Sequence, residues 1–394
     1  MLDFTRVLAG PHATRMLTDL GADVIKVEPP AGDLTRFANP RVNGLSTYFV
    51  QQNAGKRNIS IDLGDPRGIE LALSLAERCD VLVENYRPGV MDRLGVGPGT
   101  VTTRNPELVY ASITGYGATG PWVHRRAYAP VVGAEAGLTK DQGDARGATY
   151  ANDPHSHADV YTSLEATTAI LAALYQRERT GRGQRVEISM AETMLYVNEH
   201  LHDQLYDGPV DGQWIRSFSP GDYLTFTLAD GQVVVVSGHP AERGTFDLFL
   251  GALGLEHLAD DPRFADVATR MAHFDELRDT LLAAGAEIPD AATFEERFAK
   301  YRLAVGVVRA ARELAESEWS QARGAIVEIS DRGDGTIRVP NVPWRFSAAD
   351  ARVEGLPKYR GEDNRAVLAD VLGYDDATVD ALEAAGVLSS RLPA

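Results

Sequence analysis

Leu2-Asp3-Phe4-Thr5-Arg6-Val7-Leu8-Ala9-Gly10-Pro11, followed by Leu20-Gly21-Ala22-Asp23-Val24-Ile25-Lys26-Val27-Glu28, is the stretch on which the fold turns. Residues 2–8 form an apolar run of strand type, and Ala9-Gly10-Pro11 is a turn. Residues 12–20 carry apolar side chains at helical spacing, and 22–27 form a second short apolar strand after Gly21. Strand, turn, helix, strand is a βαβ unit. The pattern then recurs: 58–63 strand, 66–78 helix with Leu71, Ala72 and Leu75 on one face, 81–84 buried strand, 108–113 strand. Such alternation predicts a parallel sheet covered on both faces, with ligand-binding loops beyond the carboxyl ends of its strands.

The rest of the chain is organised around that start. A long helix is expected over 160–179, with Leu164, Ile170, Leu171 and Leu174 marking its apolar face and Thr180-Gly181-Arg182-Gly183 stopping it. A strand over 184–189 follows, then a Gly-, Pro- and Asp-rich linker around 207–220. Residues 223–227 and 233–236 read as a hairpin about Asp230-Gly231, and 240–320 as mainly helical. Short strands at 325–329 and 337–339 and helices over 364–372 and 377–385 complete the chain. The expected domains are a large one begun by 1–205, a small one with its linkers over 206–315, and a C-terminal part, 316–394, that completes the large one.

Composition narrows the function. The 394 residues suffice for a full core, and 44% hydrophobic with 24% charged residues is ordinary for a globular protein. No apolar run approaches the roughly 20 residues of a membrane span. The single cysteine, Cys79, excludes an internal disulfide framework and a CxxC zinc site. With no basic-then-apolar leader, the chain reads as cytoplasmic. A net charge of −17 argues against nucleic acid as a partner. That charge is uneven: 14 basic and 13 acidic residues precede position 131, leaving 25 and 43 after it. Only the first third is suited to an anionic ligand, and there Arg36, Arg41, Lys56, Arg57, Arg67, Arg87 and Arg93 fall in or beside expected loops.

Most familiar catalytic constellations are missing. No loop is a GxGxxG or Walker sequence, no GxSxG elbow occurs, and neither His155-Ser156-His157 nor His200-Leu201-His202 has metal-ligand spacing, so no metal is expected. Cys79 ends an amphipathic helix, where a small buried residue belongs. Asp159 stands out. Immediately before the 160–179 helix it occupies the expected N-cap, where backbone N–H groups and the helix dipole favour the anion and would preorganise an oxygen nucleophile.

The opening string resembles the start of the class III CoA-transferases, the family of formyl-CoA:oxalate and carnitine CoA-transferases and of α-methylacyl-CoA racemases. So do Asn53-Ala54-Gly55-Lys56-Arg57, Glu84-Asn85-Tyr86-Arg87-Pro88-Gly89, the run from Ala172 through Arg179-Thr180-Gly181-Arg182-Gly183-Gln184, and Arg360-Gly361-Glu362-Asp363-Asn364-Arg365, in the family's order. The resemblance implies an α/β fold with a Rossmann-like large domain whose parallel sheet is built from both termini, a smaller α+β domain, and an interlocked homodimer. It implies a CoA-transferase that moves CoA from an acyl-CoA thioester to a carboxylic acid acceptor, with no tightly bound cofactor. The family's nucleophilic aspartate falls on Asp159, and its CoA contacts on Leu8, Ile61, Asn85, Tyr86, Arg93 and Arg126, with Tyr128 beside them.

Tyr128 also separates the family's branches. Racemases carry a histidine there as second acid/base group, whereas a tyrosine, with an unperturbed pKa near 10, is a poor base for an α-proton. Transfer is therefore favoured over racemisation or epimerisation. Ala129 and Ala158 depart from the family's usual acidic residue and glycine, which keeps a non-catalytic acyl-CoA-binding paralogue as a further alternative. His157 reads as a loop histidine or a nearby proton shuttle, and the Gly238-His239-Pro240 turn as a possible cover for the site. Relatives begin with a short further segment, so the chain is expected to start inside its first strand.

Overall fold

The computed structural model describes residues 1–208 and 220–391, which fall into two compact units. The first comprises Met1–Asp144, Thr149–Asn198 and Glu318–Ala394; the second comprises Ala145–Ala148 and Glu199–Ser317. Most of the 207–220 linker, from 209 to 219, lies outside the described residues.

The first unit is built on a six-stranded, wholly parallel sheet. Its strands are β1 Leu2–Asp3, β2 Ile25–Glu28, β3 Arg57–Ser60, β4 Val81–Glu84, β5 Val109–Thr114 and β6 Arg185–Ser189, in the order β3-β2-β1-β4-β5-β6. Alternate residues serve opposite faces. Leu2, Leu82 and Tyr110 join Leu71, Leu75, Val367 and Leu368 in one core; Val81, Val83, Val109 and Ala111 pack against Ala13, Leu17, Ala166 and Ile170 in another. Helices α1 (Ala9–Asp19) and α2 (His157–Thr180) thus cover one face.

Three expectations are corrected here. The first strand stops at Asp3, because the Asp3 carboxylate takes the Thr5 N–H at 2.8 Å and the Thr5 hydroxyl, turning the chain at once. α1 accordingly begins at Ala9, with Pro11 tolerated in its first turn. Among the described residues every strand of this sheet lies within positions 2–189, so it is not built from both termini. The C-terminal segment instead caps the β3 edge with side chains: Asp363 accepts the Asn58 N–H at 2.8 Å, Asn364 the Ser60 N–H at 2.9 Å, and Leu388 makes one bridge to Ile61. The apolar face assigned to α2 is also wrong in part. Leu164 and Leu171 are each 44% exposed, and the helix buries small residues, Ala158, Thr162, Ser163, Ala166 and Ala173, around Ile170, which lets it lie close to α1.

The second unit has an antiparallel sheet of Thr225–Thr227, Val233–Val236 and Val305–Val307, with the expected hairpin at Asp230-Gly231. Phe226, Phe249, Phe294 and Phe298 fill its core, the last two stacked at 4.1 Å. His239 is buried there against Phe274.

Beneath β1 the first unit buries charge. Lys56 donates to Asp3 at 3.0 Å, to the Pro11 carbonyl at 2.9 Å and to Asn53 at 2.8 Å, while the Thr14 hydroxyl donates to Asp3 at 2.7 Å. Burial opposes ionisation of Asp3, yet Lys56, Lys26 and the Thr5 and Thr14 hydroxyls hold its carboxyl far below the usual range. Lys56→Met strands that carboxylate in the core and is expected to cost about 3–5 kcal/mol in denaturant unfolding. Adding Asp3→Asn is expected to recover part of the loss; no recovery would mean that the lysine acts through packing rather than charge.

Candidate active site

Strand order reverses between β1 and β4, so the loops that leave their carboxyl ends part and open a crevice. The Asn85 amide fixes its width: Nδ2 donates to the Arg6 carbonyl at 2.8 Å and Oδ1 accepts the Arg6 N–H at 2.9 Å. A cleft of about 330 Å³ occupies the crevice, walled by these two loops, by Gly115-Tyr116-Gly117 after β5, and by Arg125 to Tyr128. The β1 loop is strained. Val7 holds φ at 69°, unfavourable for a β-branched residue. Its N–H is anchored on the Asp33 carboxylate at 3.2 Å, and buried Lys26 donates to the Thr5 carbonyl at 2.7 Å while lying 3.6 Å from Asp33.

Asp159 lines this cleft. It is not an N-cap: α2 starts at His157 after Ser156, which places Asp159 in the first turn. Its carboxylate is instead favoured as the anion by the backbone N–H groups of Ala9, which opens α1, and Ala129, which opens the helix Ala129–Glu135. These donors favour the anion, as expected, but burial outweighs them and raises the pKa to about 6. No cation offsets it among the described residues. A carboxylate of this kind is ionised at neutral pH, poorly solvated and correspondingly basic, which suits a nucleophile.

Around it stand cations without acidic partners. Arg6, Arg87 and Arg126 line the cleft, are exposed, and make no ion pair among the described residues; Arg6 lies over the Tyr86 ring at 4.8 Å. Arg125 pairs with Glu135 and stacks on Trp122 at 4.5 Å. The Tyr116 hydroxyl, on a residue of the same wall, is buried with no hydrogen-bond partner among the described residues.

The structure thus brings Asn85, Tyr86, Arg126 and Tyr128 together with Asp159. Leu8 is buried between two lining residues, Val7 and Ala9, while Ile61 sits in the core beyond β3 and Arg93 on the surface at the end of the helix Val90–Arg93, neither lining the cleft. Of the other cations expected to greet an anion, Arg36 is paired with Glu28, Lys56 with Asp3, Arg57 with Asp23 and Asp370, and Arg67 with Asp65. Arg6 and Arg125 went unnoticed in the sequence, and Tyr116 stood out only as part of the loop 114–121 expected beyond a strand's carboxyl end. Arg6 sits inside the expected first strand, and only its failure to continue brings the side chain to the cleft. His157 lies outside the lining, paired with Asp153 and stacked on Tyr161 at 5.5 Å.

A parallel sheet with a carboxylate and unpaired arginines at its switch point is the framework of an α/β enzyme. Residues 1–364 match CoA-transferase family III, and the chain belongs to that family. It is 34% identical to succinyl-CoA:glutarate CoA-transferase of Mus musculus, across 99% of this chain and 89% of that one. It is likewise 34% identical to acetyl-CoA:oxalate CoA-transferase of Acetobacter aceti, across 91% of each. Among solved structures, Rv3272 of Mycobacterium tuberculosis superposes with a TM-score of 0.79 at 31% identity over 92% of this chain and 96% of that one. A CAIB/BAIF family protein of Brucella suis gives 0.78 at 29% identity, over 94% and 97%. The resemblance read from the sequence is confirmed. No described helix is long and apolar enough to cross a membrane.

The raised pKa of Asp159 has a stability sign. Between its ordinary value of 3.8 and about 6 the unfolded chain gives up this proton before the folded one, so the fold loses stability as pH rises through that window. Asp159→Asn removes the penalty. In thermal or denaturant unfolding it is expected to exceed the parent by up to about 3 kcal/mol at neutral pH, with the gain gone below about pH 4. A gain independent of pH would assign the effect to packing.

Proposed function

We propose that the protein moves CoA from an acyl-CoA thioester to a carboxylate through a covalent intermediate on Asp159. The observation that carries this reading is the half-buried Asp159 carboxylate, its pKa raised by desolvation, in a cleft whose wall holds three arginines without acidic partners. Family membership and relatives named as CoA-transferases support the reaction class.

In this reading an Asp159 oxygen attacks the thioester carbonyl, the C–S bond breaks, and CoA leaves as thiolate with a mixed anhydride behind it. The thiolate then attacks the aspartyl carbonyl, releasing the donor carboxylate and leaving an aspartyl-CoA thioester. The acceptor carboxylate attacks that thioester, the thiolate departs, and its return to the acceptor carbonyl frees Asp159. Dividing the exchange into covalent stages avoids direct attack between two poor partners. No stage moves a proton. That agrees with a cleft lined by no histidine among the described residues, where removal of an α-proton would call for a second base.

Arg126, Tyr128, Tyr86 and Asn85 are assigned to CoA, with Leu8, Ile61 and Arg93 along its further reach. Guanidinium groups match its phosphates. The Asn85 amide is already committed to Arg6, so its part is to hold the crevice open. The order β3-β2-β1-β4-β5-β6 supports a Rossmann-like large domain, and unit limits near 198 and 318 support the expected domain division. Leu164, Leu171 and Tyr175, exposed on α2, supply apolar surface that an interlocked second copy would cover.

Hydroxylamine added during turnover is expected to trap the intermediate, with the modified peptide carrying Asp159 in a mass spectrum. Asp159→Ala is expected to abolish exchange, and full exchange by that variant overturns the mechanism. Deuterium entering the α-carbon without any acceptor would favour racemisation instead. Activity is expected to rise with pH along an acid limb near 6, where the nucleophile ionises. Arg126→Ala is expected to raise KM for acyl-CoA about tenfold with kcat little changed, equivalent to about 1.4 kcal/mol of binding.

A further inference from the structure

A second, smaller pocket of about 170 Å³ lies in the first unit, past the carboxyl ends of β2 and β3. Four arginines line it: Arg36, Arg41, Arg360 and Arg391. One is neutralised. Glu28 holds Arg36 at 2.6 Å and 2.8 Å, and the Lys358 carbonyl takes another of its N–H groups at 3.0 Å. The other three have no carboxylate partner among the described residues. Arg360 is partly buried and spends one nitrogen on the hydroxyls of Ser60 at 2.7 Å and Ser389 at 2.6 Å. Arg391 lies over the Phe37 ring at 5.6 Å, and Arg41 is exposed at the start of a short hairpin.

Uncompensated positive charge at this density is unusual in a chain of net charge −17. Burial pushes the Arg360 guanidinium below its ordinary pKa; Glu28 opposes the shift, and Arg36 and Arg391 add to it. Other arginines of the first unit away from the Asp159 cleft are matched to carboxylates, as Arg57 is to Asp23 and Asp370 and Arg104 to Glu70 and Glu77. Here Arg360 is fixed by hydroxyls, which orient the fork without discharging it. Arg391 is held by an aromatic face to the same effect. Oriented, undischarged guanidinium forks are what a phosphate group requires.

We propose that this pocket is a second anion site that binds a phosphate group. Its volume is below that of pockets for whole small molecules, so it takes a group and not an entire cofactor. The group has two available sources. Leu34 lines the cleft of Asp159 while Arg36 and Phe37 line the pocket, and all belong to the one short helix Leu34–Phe37. A phosphate of a ligand extending from the cleft, such as the 3′-phosphate of CoA, is one source, and that arm rests on the proposed function. Free phosphate is the other.

The test uses the full chain. Inorganic phosphate is titrated in thermal unfolding against chloride at matched ionic strength, for the parent and for Arg41→Gln/Arg391→Gln, both sites being on the surface. The parent is expected to be stabilised by phosphate over chloride, and the double variant to bind it at least about tenfold more weakly. KM is then measured for an acyl-CoA and for its 3′-dephospho form. If CoA supplies the group, the parent discriminates by about tenfold, the double variant does not, and phosphate competes with acyl-CoA. If the anion is free, both thioesters give the same KM and phosphate stabilises the protein already saturated with acyl-CoA. A phosphate response undiminished in the double variant overturns the proposal. So does a parent with neither a phosphate response nor discrimination between the thioesters. The unfolding arm requires no turnover, so failure of the CoA-transfer reading leaves it standing.

Discussion

Two lysines buried under the first strand set the geometry on which the rest relies. Lys56 fixes Asp3, whose carboxylate turns the chain after only two strand residues; Lys26 fixes the Thr5 carbonyl and lies 3.6 Å from Asp33, which holds the Val7 N–H. Buried ion pairs of this kind are weak sources of stability, because desolvation consumes most of the Coulomb gain. What they provide is a single backbone path. That path presents the Ala9 N–H to Asp159 and the Arg6 main chain to Asn85, and both walls of the crevice follow from it.

Asp159 is where two opposing tendencies meet. Backbone donors from two helix starts would by themselves give a strongly acidic, weakly nucleophilic carboxylate, and burial without any cation would give one that is neutral at physiological pH. Together they leave the group ionised under working conditions yet less comfortable than in water. The arginines are kept to the rim. Placed against the carboxylate they would quench it; exposed in the cleft wall they leave it basic.

Much of this was legible in the sequence, because local signals coincide with the final structure where packing is simple. The strand Val81–Glu84 is apolar up to its last residue and buried throughout, and Asn364–Leu372 is bounded by its own helical pattern and Gly373. Legibility fails where a side chain from far away decides. Nothing local says that Asp3 ends its strand, since the reason includes a lysine 53 positions on. Nothing local says that Arg57 belongs to Asp370 rather than to a ligand. α2 misled through its leucines: a helix that packs closely on α1 needs small residues on that face, so its larger ones point outward. Asp159 was singled out by its place before a helix and by family resemblance, but its environment was not legible, because the backbone groups that favour its anion come from Ala9 and Ala129 and from no residue of its own helix.

The β3 edge carries a consequence for how the chain comes to be made. Its N–H groups at Asn58 and Ser60 are closed by Asp363 and Asn364, 305 and 304 positions later in the chain. On a ribosome the intervening residues, the whole second unit included, emerge before those side chains do. The parallel sheet therefore spends most of synthesis with an open border, the state in which strands recruit neighbours from other molecules. A later segment of helix, turn and bridge acts as the clasp, and residues translated long after the sheet decide whether its edge is closed.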